Sequence, residues 1–252
     1  MERDMDLAGP EPGTTRRKWL LATLAGLAAP RAQALDTLTI TAVGRTGGSG
    51  VAARLLADIY RRAGLGLLID VLPAARASLV ALSGKADGEL IRIASYGQTY
   101  PQLVRVDPPF YRVGVRAYSL PARAASVQTQ GDLKHYAVGS IRGMPYVQEL
   151  TENHPALTLT QNALQLFRML LAGRIDVALC TPLAAQSALN TLGARELDVS
   201  PDLARFDLHH YLHMRRKNLA PRIGDAIRRM RDSGELEQLT QKYEATVANE
   251  QA

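Results

Sequence analysis

One pattern, used twice, constrains this chain more than any other feature. ALSGKADGELI at Ala81–Ile91 and LLAGRIDVALC at Leu170–Cys180 share a layout: a helix end, a Gly, a basic residue, a spacer, an Asp and a short apolar strand. Leu164, Phe167, Leu170 and Leu171 share one helical face before the second copy, and Leu79 and Leu82 do so before the first. Gly84 and Gly173 stand where a helix C-terminus wants a left-handed residue, and Lys85 and Arg174 complement its negative end. The apolar residues after Asp87 and Asp176 suit buried parallel strands. A single copy would be an ordinary helix–strand corner. Two copies in matched register, one in each half, imply two α/β lobes of like construction.

Residues 1–34 read as an address. Thr15-Arg16-Arg17-Lys18 is a basic region, Trp19–Ala29 an apolar run too short to span a bilayer, and Ala32-Gln33-Ala34 a cleavage site. The expectation is a signal peptide cleaved near Ala34 and a periplasmic mature chain from Leu35. TRRKWLL resembles a twin-arginine signal, although ordinary export signals also carry such residues, so the route stays open.

The remaining 218 residues are enough for one large or two modest domains. Removing the leader takes away five basic and four acidic residues and leaves a net charge of +5. The basic residues are scattered rather than gathered on one face, and aromatics make up 5%, which argues against nucleic acid as a partner. Cys180 is the single cysteine, so an intramolecular disulfide is excluded; its apolar strand marks it as a core residue rather than a nucleophile.

Leu38–Val43 reads as a first strand, followed by the Gly-rich loop Gly44–Gly50, with Ser49 as candidate N-cap, and a helix Val51–Arg62. Such a turn suits an anion, but it has neither the P-loop ending nor the dinucleotide glycine spacing. A strand at Leu67–Leu72 and a helix at Pro73–Ser83 lead into the first corner. In the strand Asp87–Ala94, Arg92 is conspicuous, because an Arg among apolar residues is costly unless it is paired or faces a cleft. Pairing with Asp87 or Glu89 and facing a ligand are both open at this point. Pro101 to Pro109 reads as loop, and Tyr111–Tyr118 as a strand. The second half gives strands at Tyr136–Ile141, Leu157–Thr160 and Phe206–Met214. Its helices fall at Tyr146–Asn153, from Asn162 into the second corner, and at Leu183–Leu192, Pro221–Arg231 and Leu236–Val247. Alternating strand and helix implies mostly parallel sheets. His209, His210 and His213 fall in an alternating stretch that reads as a strand, where they point apart in part, so no metal site is expected there.

The order of these pieces resembles the bacterial extracellular solute-binding proteins of family 3, type II periplasmic binding proteins of the polar amino-acid transport kind. The resemblance rests on DGELIR, GDLKHYAVGSIRG, LQLFRMLLAGRIDVAL and LAPRIGDAIRRMRDSGELEQLTQKYEA, in that order. It implies an α/β fold of two Rossmann-like lobes joined by two hinge strands, near Tyr111–Tyr118 and Phe206–Met214. Lobe one would comprise 36–114 plus 209–248, and lobe two 115–208. It also implies a monomer that closes on a small-molecule ligand and delivers it to an ABC permease in the inner membrane. No cofactor or metal is expected.

Ligands in open α/β sheets sit beyond the carboxyl ends of strands. The candidate ligand-binding residues are therefore Arg45, Arg76, Arg92, Tyr96, Arg142, Gly143, Met144 and Thr181. Family members that bind α-amino acids carry a carboxylate-binding Arg where this chain has Tyr100, with Arg105 nearby. They carry an ammonium-binding Asp where it has Thr181, and often a stacking aromatic where it has Ala74. These departures remove ammonium recognition, while Arg45, Arg92 and Arg142 make the expected cleft positive, so a small anion is favoured. Two further readings are a dehydratase-like enzyme on the same fold and a ligand-reading partner of a membrane sensor. The acidic residues form no pair suited to acid–base work, so the chain is read as a binder and not an enzyme.

Overall fold

The computed structural model describes residues 36–44, 47–121, 125–193 and 196–250. The stretch expected to be a signal peptide, residues 1–34, and the candidate Arg45 lie outside the described residues. In the first half the elements are β1 Thr37–Val43, α1 Gly47–Arg62, β2 Gly66–Leu72, α2 Ala74–Leu82, β3 Gly88–Ile93, α3 Tyr96–Thr99, β4 Leu103–Arg105 and β5 Tyr111–Ser119. The second half adds β6 Val138–Ile141, α4 Pro145–Leu150, β7 Leu157–Thr160, α5 Ala163–Leu171, β8 Val177–Cys180, α6 Pro182–Leu192, β9 Asp198–Val199, β10 Ala204–His213, α7 Ala220–Asp232 and α8 Glu235–Glu250.

Two expectations change. The Gly-rich loop is shorter than expected, because α1 begins at Gly47. Ser49 lies inside the helix and donates its hydroxyl back to the Val43 carbonyl at 3.1 Å instead of capping. The stretch read as loop before Tyr111 holds the one-turn α3 and the three-residue β4, elements too short to leave a period in the sequence.

The two corners are built alike, bond for bond. After α2, Gly84 takes φ +72°, its N–H reaches the Ala81 carbonyl, and the Lys85 N–H reaches Val80 at 3.1 Å. After α5, Gly173 takes φ +66°, with Gly173 N–H to Leu170 and Arg174 N–H to Met169, both 2.9 Å. Both helices thus end in the same left-handed closure, which satisfies their last carbonyls. The aspartates then lock corner to sheet. Asp87 donates its N–H to the Thr39 carbonyl (2.7 Å) and accepts from the Thr39 N–H (2.9 Å). Asp176 does the same with Ala137, at 2.8 and 2.9 Å.

Asp87 carries more than its counterpart, because Arg215 and Arg216 each donate to it at 2.8 Å. Burial alone would raise its pKa. The bonds from Arg216 and Thr39 and the two guanidinium charges outweigh that and hold it below the ordinary carboxylate range. Replacing Asp176 with alanine strands a strand N–H, and the expected loss is about 1–3 kcal/mol, read as a lower urea midpoint. An unmoved midpoint would show that water replaces the bond.

The strands form one curled sheet in the order β2-β1-β3-β10-β5-β8-β6-β7, with β4 on β10 and β9 on β5. β1–β2, β1–β3, β6–β7 and β6–β8 pair in parallel, as the alternation of elements requires. Strand β5 serves both halves of the sheet. Its residues Tyr111–Val115 pair antiparallel with β10, and Arg116–Ser119 pair with β8. β10 in turn reaches β3 and β4. The two lobes are therefore linked by two strands that hydrogen-bond to each other. At that crossing Asp202 accepts from Arg116 (2.6 Å) and Arg205 (2.8 Å). It fits because Gly114 has no side chain; a Cβ there would come within 2.8 Å of the carboxylate.

Separate cores support the two lobes. In lobe one, Leu38, Ile40, Leu55 and Ile59 pack with Ile223, Ile227 and Val247 of the last two helices. In lobe two, β8 alternates: Val177 and Leu179 face a cluster with Val115, Leu133 and Val138, while Ala178 and Cys180 face Leu166, Phe167 and Leu170.

Candidate functional site

A cavity of about 1380 Å³ opens between the lobes at the carboxyl ends of β1, β3, β6, β7 and β8 and continues between α6 and α8. That is where open α/β sheets hold ligands. Of the eight sequence candidates, Arg92, Tyr96, Arg142, Gly143, Met144 and Thr181 line it. Arg45 lies outside the described residues. Arg76 is exposed on α2 and does not line the cavity, because the face of α2 turned inward carries Ala74 and Ser78 instead. Arg105 is held at 2.9 Å by Asp107 and is also absent from the wall.

Arg92 proves to be paired and cavity-facing at once. Its guanidinium forms an ion pair with Glu89, donates to Ser78 Oγ and to the Ile91 carbonyl, both at 3.2 Å, and lies 5.0 Å from the Tyr96 ring centre. Tyr96 contributes its hydroxyl to the same network, 3.0 Å from Glu89 Oε1 and 3.1 Å from Ser78 Oγ. The Glu89 side chain is 1% exposed and that of Arg92 21%. Burial raises the Glu89 pKa against the opposing pull of Arg92 and the Tyr96 and Ser78 hydrogen bonds. Lobe one therefore offers the cavity an electrically balanced cluster, not a free cation.

On lobe two, Gly143 takes φ +80° and turns the chain from β6 into α4. That turn leaves Arg142 exposed on the cavity wall, its backbone N–H fixed to the Thr160 carbonyl at 2.9 Å. Among the described residues its side chain has no acidic partner. Met144 divides its packing between both lobe-two clusters, so part of it is core. Thr181 precedes α6 without capping it through its side chain, and the first-turn residues Leu183 and Ala184 line the cavity.

Sequence reasoning missed Ser78, four residues after Ala74 on the same face of α2, and Gln161-Asn162 beyond β7. Applying the strand-end rule to every parallel strand would have included the latter pair. The histidines of β10 are structural. His210 is fully buried, 2.8 Å from both the Tyr60 hydroxyl and the Glu89 carbonyl, and His209 lies 3.1 Å from Asp107.

No protein-family model matches the chain. An uncharacterized protein of Shewanella oneidensis is 26% identical over 184 residues, covering 70% of this chain and 69% of its own. Among solved structures, the GluR0 ligand-binding core in complex with L-glutamate superposes with a TM-score of 0.70 at 13% identity, over 84% of this chain and 99% of that one. A histidine kinase sensor domain with similarity to periplasmic binding proteins gives 0.65 at 16%, over 83% and 96%. An amino-acid ABC transporter substrate-binding protein from Streptococcus pneumoniae, bound to L-arginine, gives 0.62 at 16%, over 84% and 96%. The chain has the type II periplasmic-binding-protein fold, two α/β lobes about a cleft. Among the described residues, no helix is long and apolar enough to cross a membrane.

Proposed function

We propose that this protein is a periplasmic solute-binding protein that captures a small anionic organic solute between closing lobes for an ABC-type uptake system. Lobe one is 36–114 plus 209–248 and lobe two 115–208. It is a monomer that binds without catalysis and uses neither cofactor nor metal. The observation that carries this reading is the cavity at the strand ends, walled by both lobes, with Arg142 in its wall and no acidic partner for it among the described residues. A ligand favours the closed form only by touching both lobes, and the residues lining the cavity meet that condition. Three arginines of the wall are held by carboxylates behind it, Arg92 by Glu89, Arg116 by Asp202 and Arg112 by Asp207. None of these three carboxylates is placed as a free acid or base.

A second reading, ligand sensing with a membrane receptor, is favoured by the likeness to a histidine kinase sensor domain. Pull-down against permease and sensor-kinase ectodomains separates the two readings. The uptake reading is tested by thermal-shift screening of dicarboxylates, keto acids, sulfonates, phosphates and amino acids, followed by small-angle scattering with the best hit. The expected result is a raised melting temperature and a more compact particle. A stabilising ligand that leaves the scattering unchanged would rule out closure.

A further inference from the structure

We infer that the ligand is a monoanion with no cationic group, and that its acid end is taken by lobe two at Arg142. This inference rests on the solute-binding reading above.

The argument is a charge balance around the cavity. Among the described residues four arginines line it: Arg92, Arg112, Arg116 and Arg142. Arg92 is paired with the buried Glu89, Arg112 with Asp207 at 2.6 Å, and Arg116 with Asp202 at 2.6 Å, a carboxylate that Arg205 shares at 2.8 Å. Arg142 alone among them has no carboxylate partner among the described residues. A ligand bearing one negative charge can satisfy it without breaking an existing pair. A second negative charge would have to compete with Glu89, Asp202 or Asp207 for a guanidinium already held.

The same balance argues against an ammonium group. Each of the three carboxylates behind these arginines is already engaged by a guanidinium, and Thr181 places no charge at the start of α6. Glu244 also lines the cavity, but on the α8 flank, where it accepts the Tyr111 hydroxyl at 2.9 Å from the linking strand. Lobe one can still contribute hydrogen bonds, because the Arg92 guanidinium has five N–H groups and keeps a partly exposed edge. The division of labour follows: net charge on lobe two, neutral hydrogen bonding on lobe one. Residues such as Ala74, Ile93 and Val113 provide an uncharged wall for the ligand body.

Matched pairs of acids test this by isothermal titration on the purified protein. Lactate, 3-phenyllactate and 2-hydroxyisocaproate, with their 2-oxo counterparts, are compared with alanine, phenylalanine and leucine. Succinate and citrate serve as polyanions, and ribose as a neutral solute. Binding is expected among the hydroxy or oxo acids, with the corresponding amino acid at least about tenfold weaker. Arg142→Gln should weaken the best monoanion by about thirtyfold or more, the loss expected when a desolvated charge partner is removed.

Equal or tighter binding of the amino acids, or full affinity in Arg142→Gln, would overturn the inference. So would binding confined to polyanions or ribose, which would leave the solute-binding reading intact. A panel in which no class binds would overturn both.

Discussion

Replacing Arg92 with alanine is expected to destabilise the fold by about 3–5 kcal/mol at pH 8. The cause is the partner left behind. Glu89 is almost wholly buried, and without Arg92 its carboxylate keeps only the hydroxyls of Tyr96 and Ser78 nearby. Burial already raises its pKa, and losing the cation raises it further. An acid whose folded pKa lies above its unfolded value stabilises below the unfolded pKa, and that stability is lost as pH rises through the folded one. The deficit of the Arg92→Ala variant relative to wild type should therefore be large at pH 8 and shrink toward pH 5. Adding Glu89→Gln to Arg92→Ala removes the charge and should recover much of the loss. Urea denaturation of the four proteins in this double-mutant cycle, at both pH values, measures the coupling. An Arg92→Ala midpoint equal to wild type at pH 8 would show that Glu89 reaches another cation or water.

Acid should weaken the native protein in a window that His210 defines. Full burial pushes its pKa from 6.5 down to about 4, while the hydrogen bond to the Glu89 carbonyl opposes the shift. The unfolded chain then binds a proton between about pH 6.5 and 4 that the folded one excludes. Stability is present in full above that window and falls as pH drops through it, by about 3 kcal/mol in all. His209, also lowered chiefly by burial, acts in the same direction. The carboxylates held low by arginines, Asp87, Asp202 and Asp207, lose their contribution only at more acid pH. Urea midpoints from pH 7.5 to 4.5 should thus slope downward in wild type and flatten in His210→Phe. An identical slope in the variant would assign the proton uptake elsewhere.

The corners were legible in the sequence because their signals are local, whereas the linking strands were legible as strands from their alternation and as links only from the family resemblance. A left-handed Gly, the N–H of the residue after it and an Asp three residues on from the Gly need no distant partner to be recognised. The element order and the placement of six candidate residues on the cavity wall followed from the strand-end rule. The sequence named Glu89 as one possible partner of Arg92 but did not decide between pairing and facing a ligand, and the reason is a slip in register. Residues three apart on a regular strand point to opposite faces, which would separate Glu89 from Arg92. In the structure Arg92 pairs with His209 but Glu89 with Tyr211, so β3 spends three steps where β10 spends two. This bulge shifts the phase of β3 and brings both side chains to one side. Nothing within DGELIR announces it. Arg76 failed for the opposite reason: the helix was placed correctly, but at nine residues its polar and apolar faces are too weakly marked to say which side meets the cavity.

The lobe-one core draws on both ends of the described chain, Leu38 to Tyr111 and Leu212 to Val247, whereas the lobe-two clusters need nothing before Val115 or after Phe206. The part of that core supplied by β1, α1 and β3 is completed only by α7 and α8, which lie beyond lobe two in sequence. Lobe two, uninterrupted in sequence, can bury its own clusters without either flank. For lobe one, the whole of lobe two is a loop that its two parts must close, and the entropy of that closure grows with the length of the insertion.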